Sequence, residues 1–254
     1  MLWRLRVLFF YIIISILCIV FFLGSYIPIK VFNVKYHTKY KFAIIFSYAF
    51  IWLAKSICGL KYEISGLEKL PTEPSIVLAN HQSFWDNVLM QLIIPEHSWV
   101  IKKELFNIPF FGWGLKLFDP IAVNRTDSAS VNQILREGQE KLQKGLWLII
   151  FPESTRLRPE QETKFKPSAV KLASMAKVPI VLMAHNAGVY WPKGFWIKKP
   201  GTIQVKIIDI IPKEDIEKFD VRIITEQAQQ AINTEKQVLF EQATKTKLGN
   251  LITG

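Results

Sequence analysis

Cysteine and histidine are scarce in this sequence, with two and four copies respectively in 254 residues. Neither Cys18 nor Cys58 lies in a spacing typical of a metal or redox motif, and the histidines are scattered. The sequence also lacks a Walker-type phosphate loop, a Gly-x-Gly-x-x-Gly turn and a Gly-x-Ser-x-Gly nucleophile elbow. These absences give no support to a metal site, a structural disulfide, dinucleotide binding or a serine-hydrolase mechanism.

Acidic residues are few, 21 against 32 lysines and arginines, which gives a formal net charge of +11. Such a charge favours a polyanionic partner, either nucleic acid or anionic lipid. No helix-turn-helix pattern, zinc finger or RNP-type strand is present, so we do not expect nucleic-acid binding. Long apolar segments beside basic residues favour an anionic membrane instead.

The apolar residues are concentrated near the N-terminus. The 23 residues 7–29 carry no charge and lie between Arg6 and Lys30; as a helix they would extend about 34 Å, enough for the hydrocarbon core. A signal peptide is the alternative, but no small-residue cleavage site follows. The next apolar run, residues 42–54, is too short to span a bilayer comfortably. We predict a membrane anchor over residues 1–58, either one span followed by an interfacial helix or a hairpin that dips into one leaflet.

Beyond residue 60, short β-branched runs alternate with helical stretches. Strands are predicted over residues 62–65, 75–79, 99–102, 121–124, 146–151, 180–184 and 202–210. Helices are predicted over residues 85–93, 104–118, 129–144, 168–177 and 222–244. This order predicts an α/β domain over residues 59–254, with a mixed, largely parallel sheet flanked by helices. Functional sites in such sheets gather beyond the carboxyl ends of the strands.

Residues 80–86, Asn-His-Gln-Ser-Phe-Trp-Asp, join a predicted strand to a predicted helix. On one continuous helix His81 and Asp86 would lie roughly 140° apart. With His81 in the turn and Asp86 in the first helical turn, the imidazole can fold back onto the carboxylate. Asp86 would then fix the tautomer of His81, as the acid does in a catalytic triad. The structural alternative is a capping box made by Ser83 and Asp86 at the start of the helix.

Polar residues follow two other predicted strands. Arg125 is in the first of these clusters, and the second contains Glu153, Thr155 and Arg156. An arginine can hold a phosphate through two parallel hydrogen bonds, although a lone arginine is more often a solvated surface charge. Two arginines at strand ends, in a chain with a His/Asp corner and a membrane anchor, favour a phosphate site.

From about residue 51 to 211 the chain resembles the glycerophospholipid acyltransferase family, most closely the bacterial 1-acyl-sn-glycerol-3-phosphate acyltransferases. Four motifs of the family occur in order: N-H-x-S-x-x-D at residues 80–86, an arginine after an apolar strand at Arg125, F-P-E-G-T-R at residues 151–156 and V-P-I-V-P at residues 178–182. Ser154 stands where the family has glycine, and Leu182 replaces the final proline. Glycine permits positive φ or a close approach to phosphate, so we expect Ser154 to affect rate or acceptor preference.

The resemblance implies transfer of a fatty acyl group from a thioester to the free hydroxyl of 1-acyl-glycerol-3-phosphate, giving phosphatidic acid in phospholipid biosynthesis. It implies that His81 is the general base and that Asp86 orients it. It also implies that the phosphoglycerol head of the acceptor is bound by Arg125, Glu153, Thr155, Arg156 and Lys102. The donor would be acyl-CoA or acyl-carrier protein, with no cofactor beyond this co-substrate. The expected location is the bacterial inner membrane, with the catalytic domain on the cytoplasmic side.

Alternatives remain at this point. The acceptor could be another lysophospholipid, the enzyme could be a membrane-bound lipid esterase that uses water, or the chain could bind anionic lipid without catalysis. Ser83 is the competing nucleophile, although nothing like a nucleophile elbow surrounds it. We further expect the chemistry to need none of residues 1–55, since every catalytic motif follows them.

Overall fold

A seven-stranded sheet forms the centre of the computed structural model, which describes residues 2–32, 34–124, 127 and 129–252. The strands are β1 (Leu60–Ser65), β2 (Ile76–Ala79), β3 (His97–Lys102), β4 (Ile121–Val123), β5 (Trp147–Ile150), β6 (Ile180–His185) and β7 (Gly201–Ile211). Their order is β1-β7-β6-β2-β5-β3-β4, and every neighbouring pair is parallel except β6 and β7. The predicted mixed, largely parallel sheet is confirmed, and each of the seven predicted strands is present.

The helices cover both faces of this sheet. They are α1 (Leu2–Val31), α2 (Tyr36–Cys58), α3 (Trp85–Ile93), α4 (Phe111–Lys116), α5 (Ala129–Gln143), α6 (Ser168–Ala176), α7 (Ala187–Tyr190), α8 (Lys213–Lys218) and α9 (Val221–Ile252). The single helix predicted over residues 104–118 is wrong: a 3₁₀ segment, Lys103–Asn107, precedes α4. Pro109 lies between them, and a proline inside a helix removes a hydrogen bond and clashes with the preceding turn.

Two hydrophobic clusters lie on the two faces of the sheet, because successive strand residues point to opposite sides. In β2, Val77 and Ala79 belong to the cluster that also contains residues of α1, α2 and α3. Ile76 and Leu78 belong to the other cluster, which α5, α6, α8 and α9 cover. All four of these β2 side chains are buried, as expected of a central parallel strand.

The two N-terminal helices form an antiparallel hairpin. Phe10 of α1 packs on Phe50 of α2, and Phe21 packs on Phe46 farther along. The hairpin shares the first hydrophobic cluster with the sheet, and both Phe10 and Phe50 contact Trp191 after α7. Both helices are long and apolar enough to cross a membrane. The helix α2 is longer than its predicted apolar run, since it extends over 23 residues.

Candidate active site

Four neighbouring parallel strands bring polar residues to one edge of the sheet. In the order β6-β2-β5-β3, their carboxyl ends carry His185, His81, the 151–156 segment and Lys102. Parallel neighbours place their carboxyl ends at the same edge, which is why segments distant in sequence meet there.

His81 and Asp86 are in contact at this edge. His81 Nδ1 lies 3.1 Å from Asp86 Oδ2, and the His81 ring stacks on Phe151 with centroids 4.0 Å apart. A hydrogen bond from Nδ1–H to the carboxylate leaves Nε2 as the proton acceptor. The turn places His81 outside the helix and Asp86 in its first turn, so the structure brings the predicted pair together.

The carboxylate of Asp86 is buried and has several donors. Besides His81, its Oδ2 accepts hydrogen bonds from the backbone N–H groups of Gln82 at 3.1 Å and Ser83 at 3.0 Å, while Oδ1 accepts from Asn87 N at 2.8 Å. Burial alone would raise the pKa of Asp86, but the His81 imidazole, a second imidazole at His185 and the Ser83 N–H outweigh it and lower the pKa below its usual value. Asp86 is therefore held as a carboxylate.

Ser83 belongs to the helix start. Its Oγ accepts a hydrogen bond from Trp85 N at 3.2 Å, while its own N–H donates to Asp86. The side chain is fully buried and is not part of the cavity wall described below. The capping arrangement and the His/Asp contact therefore occur together, and Ser83 has no geometry suited to a nucleophile.

The segment after β5 holds the backbone of His81 from both sides. Glu153 Oε2 accepts a hydrogen bond from His81 N at 2.9 Å, and Leu157 N donates to His81 O at 2.8 Å. Burial raises the pKa of Glu153 to about 7, although this hydrogen bond and the charge of Lys236 act in the opposite direction. Glu153, predicted to bind the acceptor, is thus placed behind His81 and is absent from the cavity wall.

An apolar cavity of about 280 Å³ opens beside His81. Its polar contributors include Arg156 and Lys102, so the structure brings these two predicted residues to the same space as His81. Much of the wall comes from the N-terminal hairpin, including Cys18, Phe21, Phe22, Phe42 and Phe46. Residues 1–55 contain none of the catalytic motifs, but the structure makes them part of the cavity wall.

The remaining predicted residues are less closely tied to the cavity. Thr155 is exposed, and its Oγ1 accepts a long hydrogen bond from Lys193 Nζ at 3.5 Å. Arg125 lies outside the described residues. Lys193 is not among the predicted site residues. The mixture of basic and aromatic residues over 191–199 is the sequence feature that could have indicated a role for Lys193 near the site. Within the described part of the chain, no group of three His, Cys, Asp or Glu side chains could hold a metal ion.

Comparisons with known proteins identify the family and the fold. A family model described as Acyltransferase matches residues 61–186. The chain is 39% identical to a 1-acyl-sn-glycerol-3-phosphate acyltransferase of Pseudomonas aeruginosa, over 80% of this chain and 79% of that protein. It is 30% identical to the Saccharomyces cerevisiae protein of the same name, over 76% and 66% of the two chains. A crystal structure of the 1-acyl-sn-glycerophosphate acyltransferase of Thermotoga maritima has the same fold, with a TM-score of 0.75, 24% identity and coverage of 93% and 95%.

Proposed function

Since the chain belongs to the glycerophospholipid acyltransferase family, we propose that it transfers a fatty acyl group from a thioester to 1-acyl-glycerol-3-phosphate. The product would be phosphatidic acid, a precursor in phospholipid biosynthesis. The observation that carries the proposal is the His81 imidazole, bound to a buried carboxylate on one side and facing an apolar cavity with Arg156 in its wall.

Acyl transfer in this site needs no covalent intermediate on the protein. His81 Nε2 takes the proton of the acceptor hydroxyl as the oxygen attacks the thioester carbonyl carbon. The tetrahedral intermediate then expels the thiolate, which receives that proton from the imidazolium. A positioned general base contributes about 10²–10⁴-fold to such a step. Asp86 stabilises the imidazolium, and the hydrogen bonds of Glu153 and Leu157 fix the backbone of His81.

The charges and the apolar wall of the cavity suit a lysophospholipid with a phosphate. The cationic side chains of the wall are those of Arg156 and Lys102. Thr155, which precedes Arg156 in sequence, is contacted by Lys193. Phenylalanine side chains from both N-terminal helices give the rest of the wall the character that a fatty acyl chain requires. By resemblance alone, Arg125 joins the phosphate site, and either acyl-CoA or acyl-carrier protein is the donor.

The hairpin supports membrane association. Trp3 Nε1 donates to Ile197 O at 3.0 Å, and Tyr36 OH donates to His97 O at 2.6 Å, so both the start and the tip of the hairpin contact the α/β domain. A hairpin held along the domain at both places favours entry into one leaflet over a span that leads away from the domain. The other face of α1 leaves large apolar side chains exposed, among them Leu5, Phe9, Ile12, Ile16 and Val20.

The 193–199 segment contacts the first half of α1, where Phe195 stacks on Tyr11 and Arg4 lies over Trp196. The side chains of Phe195 and Trp196 are exposed, and the segment also carries lysines at 193, 198 and 199. Aromatic and basic side chains of this kind lie at headgroup level. Because thioester donors are cytosolic, we place the domain on the cytoplasmic side of a bacterial inner membrane. Changing the three lysines to glutamine should weaken binding to vesicles rich in phosphatidylglycerol and leave binding to neutral vesicles unchanged; equal binding to both by the wild type would contradict this.

A panel of acceptors tests the activity. The purified chain, given acyl-CoA or acyl-carrier protein as donor, should acylate lysophosphatidic acid and use monoacylglycerol or lysophosphatidylcholine poorly. Arg156→Ala should raise the KM for the acceptor, and Arg156→Lys should not restore it fully, because lysine lacks the planar fork. Arg158→Ala, which changes an exposed arginine outside the cavity wall, is the control. Equal use of acceptors without phosphate would refute the phosphate site, and fatty acid released without any acceptor would indicate an esterase.

A further inference from the structure

A second histidine, His185, lies behind Asp86 at the end of β6. Its side chain is 1% exposed, and its backbone is held at both polar groups by Asn80. Asn80 Nδ2 donates to His185 O at 2.9 Å, and Asn80 Oδ1 accepts from His185 N at 2.9 Å. The first motif and the end of β6 are thereby joined, and the backbone of His185 is held beside the His81 turn.

The hydrogen bonds of the imidazole determine which nitrogen carries the proton. His185 Nδ1 accepts from Ala187 N at 3.3 Å, which places the proton of the neutral ring on Nε2. His185 Nε2 lies 3.5 Å from Asp86 Oδ2, within ion-pair distance, and has no hydrogen-bond partner among the described residues. A fully buried donor therefore faces the same carboxylate oxygen that His81 contacts.

We propose that His185 is a positioning residue for acyl transfer, whose Nε2–H holds the Asp86 carboxylate in the orientation that His81 needs. This inference rests on the proposed function. When His81 takes the proton of the acceptor hydroxyl, the attraction between Asp86 and the imidazolium increases. Because His185 also holds the carboxylate, Asp86 does not rotate as this attraction increases. The direction of His81 Nε2 is therefore preserved.

A neutral ring suits this role better than a charged one. Burial lowers the pKa of His185, although the Asp86 charge acts in the opposite direction. A neutral His185 thus directs an N–H group at the carboxylate without becoming a second imidazolium that would compete with His81 for it. The ionisable groups around Asp86 are His81, His185 and Glu153.

Variants at position 185 can separate donation from packing. The glutamine amide reaches about as far from the backbone as Nε2 does, whereas the asparagine amide is one carbon shorter, and phenylalanine keeps a ring without a donor. We expect His185→Asn and His185→Phe to lower kcat about tenfold, with acceptor KM changed less than about twofold, and His185→Gln to keep most of the activity.

The pH profile supplies a readout that packing would not change. Without the Nε2–H donor, Asp86 binds the imidazolium more strongly, so the acidic limb of the kcat profile should move to higher pH in His185→Asn and His185→Phe but not in His185→Gln. Unfolding midpoints identify any variant that has lost its fold. The test needs only one of His185→Asn and His185→Phe to remain folded.

Equal losses in all three variants with an unmoved acidic limb would show a packing role and overturn the proposal, as would full activity in all three. If the wild type acylated none of the acceptors, the proposed function itself would be refuted.

Discussion

Asp86 serves two purposes that the sequence presents as alternatives. The spacing of Ser83 and Asp86 fits a capping box, and the spacing of His81 and Asp86 fits a catalytic pair. In the structure Asp86 Oδ2 accepts from Ser83 N and also contacts His81 Nδ1. The helix start thus fixes the carboxylate that orients the imidazole, so substitution of Asp86 would affect both turnover and the stability of α3.

Ser154 has a backbone conformation that favours glycine. Its φ is +58°, in the left-handed region, at the position where the family motif has glycine. We expect Ser154→Gly to increase the free energy of unfolding by about 1 kcal/mol. Denaturant unfolding in one detergent measures the change. Ser65→Gly, at an exposed position of β1, is the control and should lower stability. A loss of stability in Ser154→Gly would contradict this reading of the turn.

Glu153 should make stability depend on pH. Its pKa is about 7 in the folded protein against an ordinary 4.5, so the folded protein binds more protons than the unfolded chain between these values. Stability attributable to Glu153 is therefore present at low pH and lost as pH rises through this window. Glu153→Gln removes the titration and keeps an acceptor for His81 N–H.

The stability of Glu153→Gln relative to wild type should rise between about pH 4.5 and pH 8, by on the order of 1–3 kcal/mol. Unfolding midpoints at several pH values measure this difference, with Glu160→Gln at an exposed position as the control. A difference that stays constant with pH would contradict the raised pKa of Glu153.

At the scale of elements, the strands and the longer helices could be predicted because their residues carry a clear period. β5 is a continuous buried run, and α3 begins and ends where the sequence predicts. The α7 helix has only four residues, too few to show a period. The start of α2 contains Lys39 and Lys41. Because these residues are charged, the apolar run that predicted the helix begins only after them.

The two faces of the N-terminal hairpin should have separable roles. Phe46 lines the cavity, whereas Ile12 and Ile16 are more than half exposed on α1. Phe46→Ser should lower activity about tenfold on both a bilayer-embedded acceptor and a dispersed short-chain acceptor, because it changes the cavity itself. The double change Ile12→Ser and Ile16→Ser should lower activity on the bilayer alone, since it removes apolar contact with lipid. If Phe46→Ser spared the dispersed acceptor, the hairpin would be an anchor only.

At the scale of the whole molecule, the site depends on contacts that no local pattern contains. The sequence indicated His81 because it follows a strand, and the same rule applies to His185, yet the Asn80–His185 contact joins residues 105 apart in sequence. Likewise, the placement of Glu153 behind His81 follows from the pairing of β2 with β5. Motif spacing could predict which residues gather at the sheet edge, but the strand order decides which of them face the cavity.

The sheet edge and the hairpin together form the wall of the cavity beside His81. Under the proposed function, a lipid acceptor would reach His81 beside the hairpin, and the thioester donor would approach from the aqueous side. In the proposed mechanism, His81 is the base for transfer to the acceptor hydroxyl.

Acyl transfer to lysophosphatidic acid by the His81→Ala variant of the 254-residue chain tests this role of His81. We expect kcat to fall by at least about 10²-fold, with acceptor KM and expression little changed, because the variant loses a positioned base and keeps the binding groups. His37→Ala, which changes an exposed histidine of α2, should retain wild-type activity. Wild-type turnover by His81→Ala would contradict the mechanism.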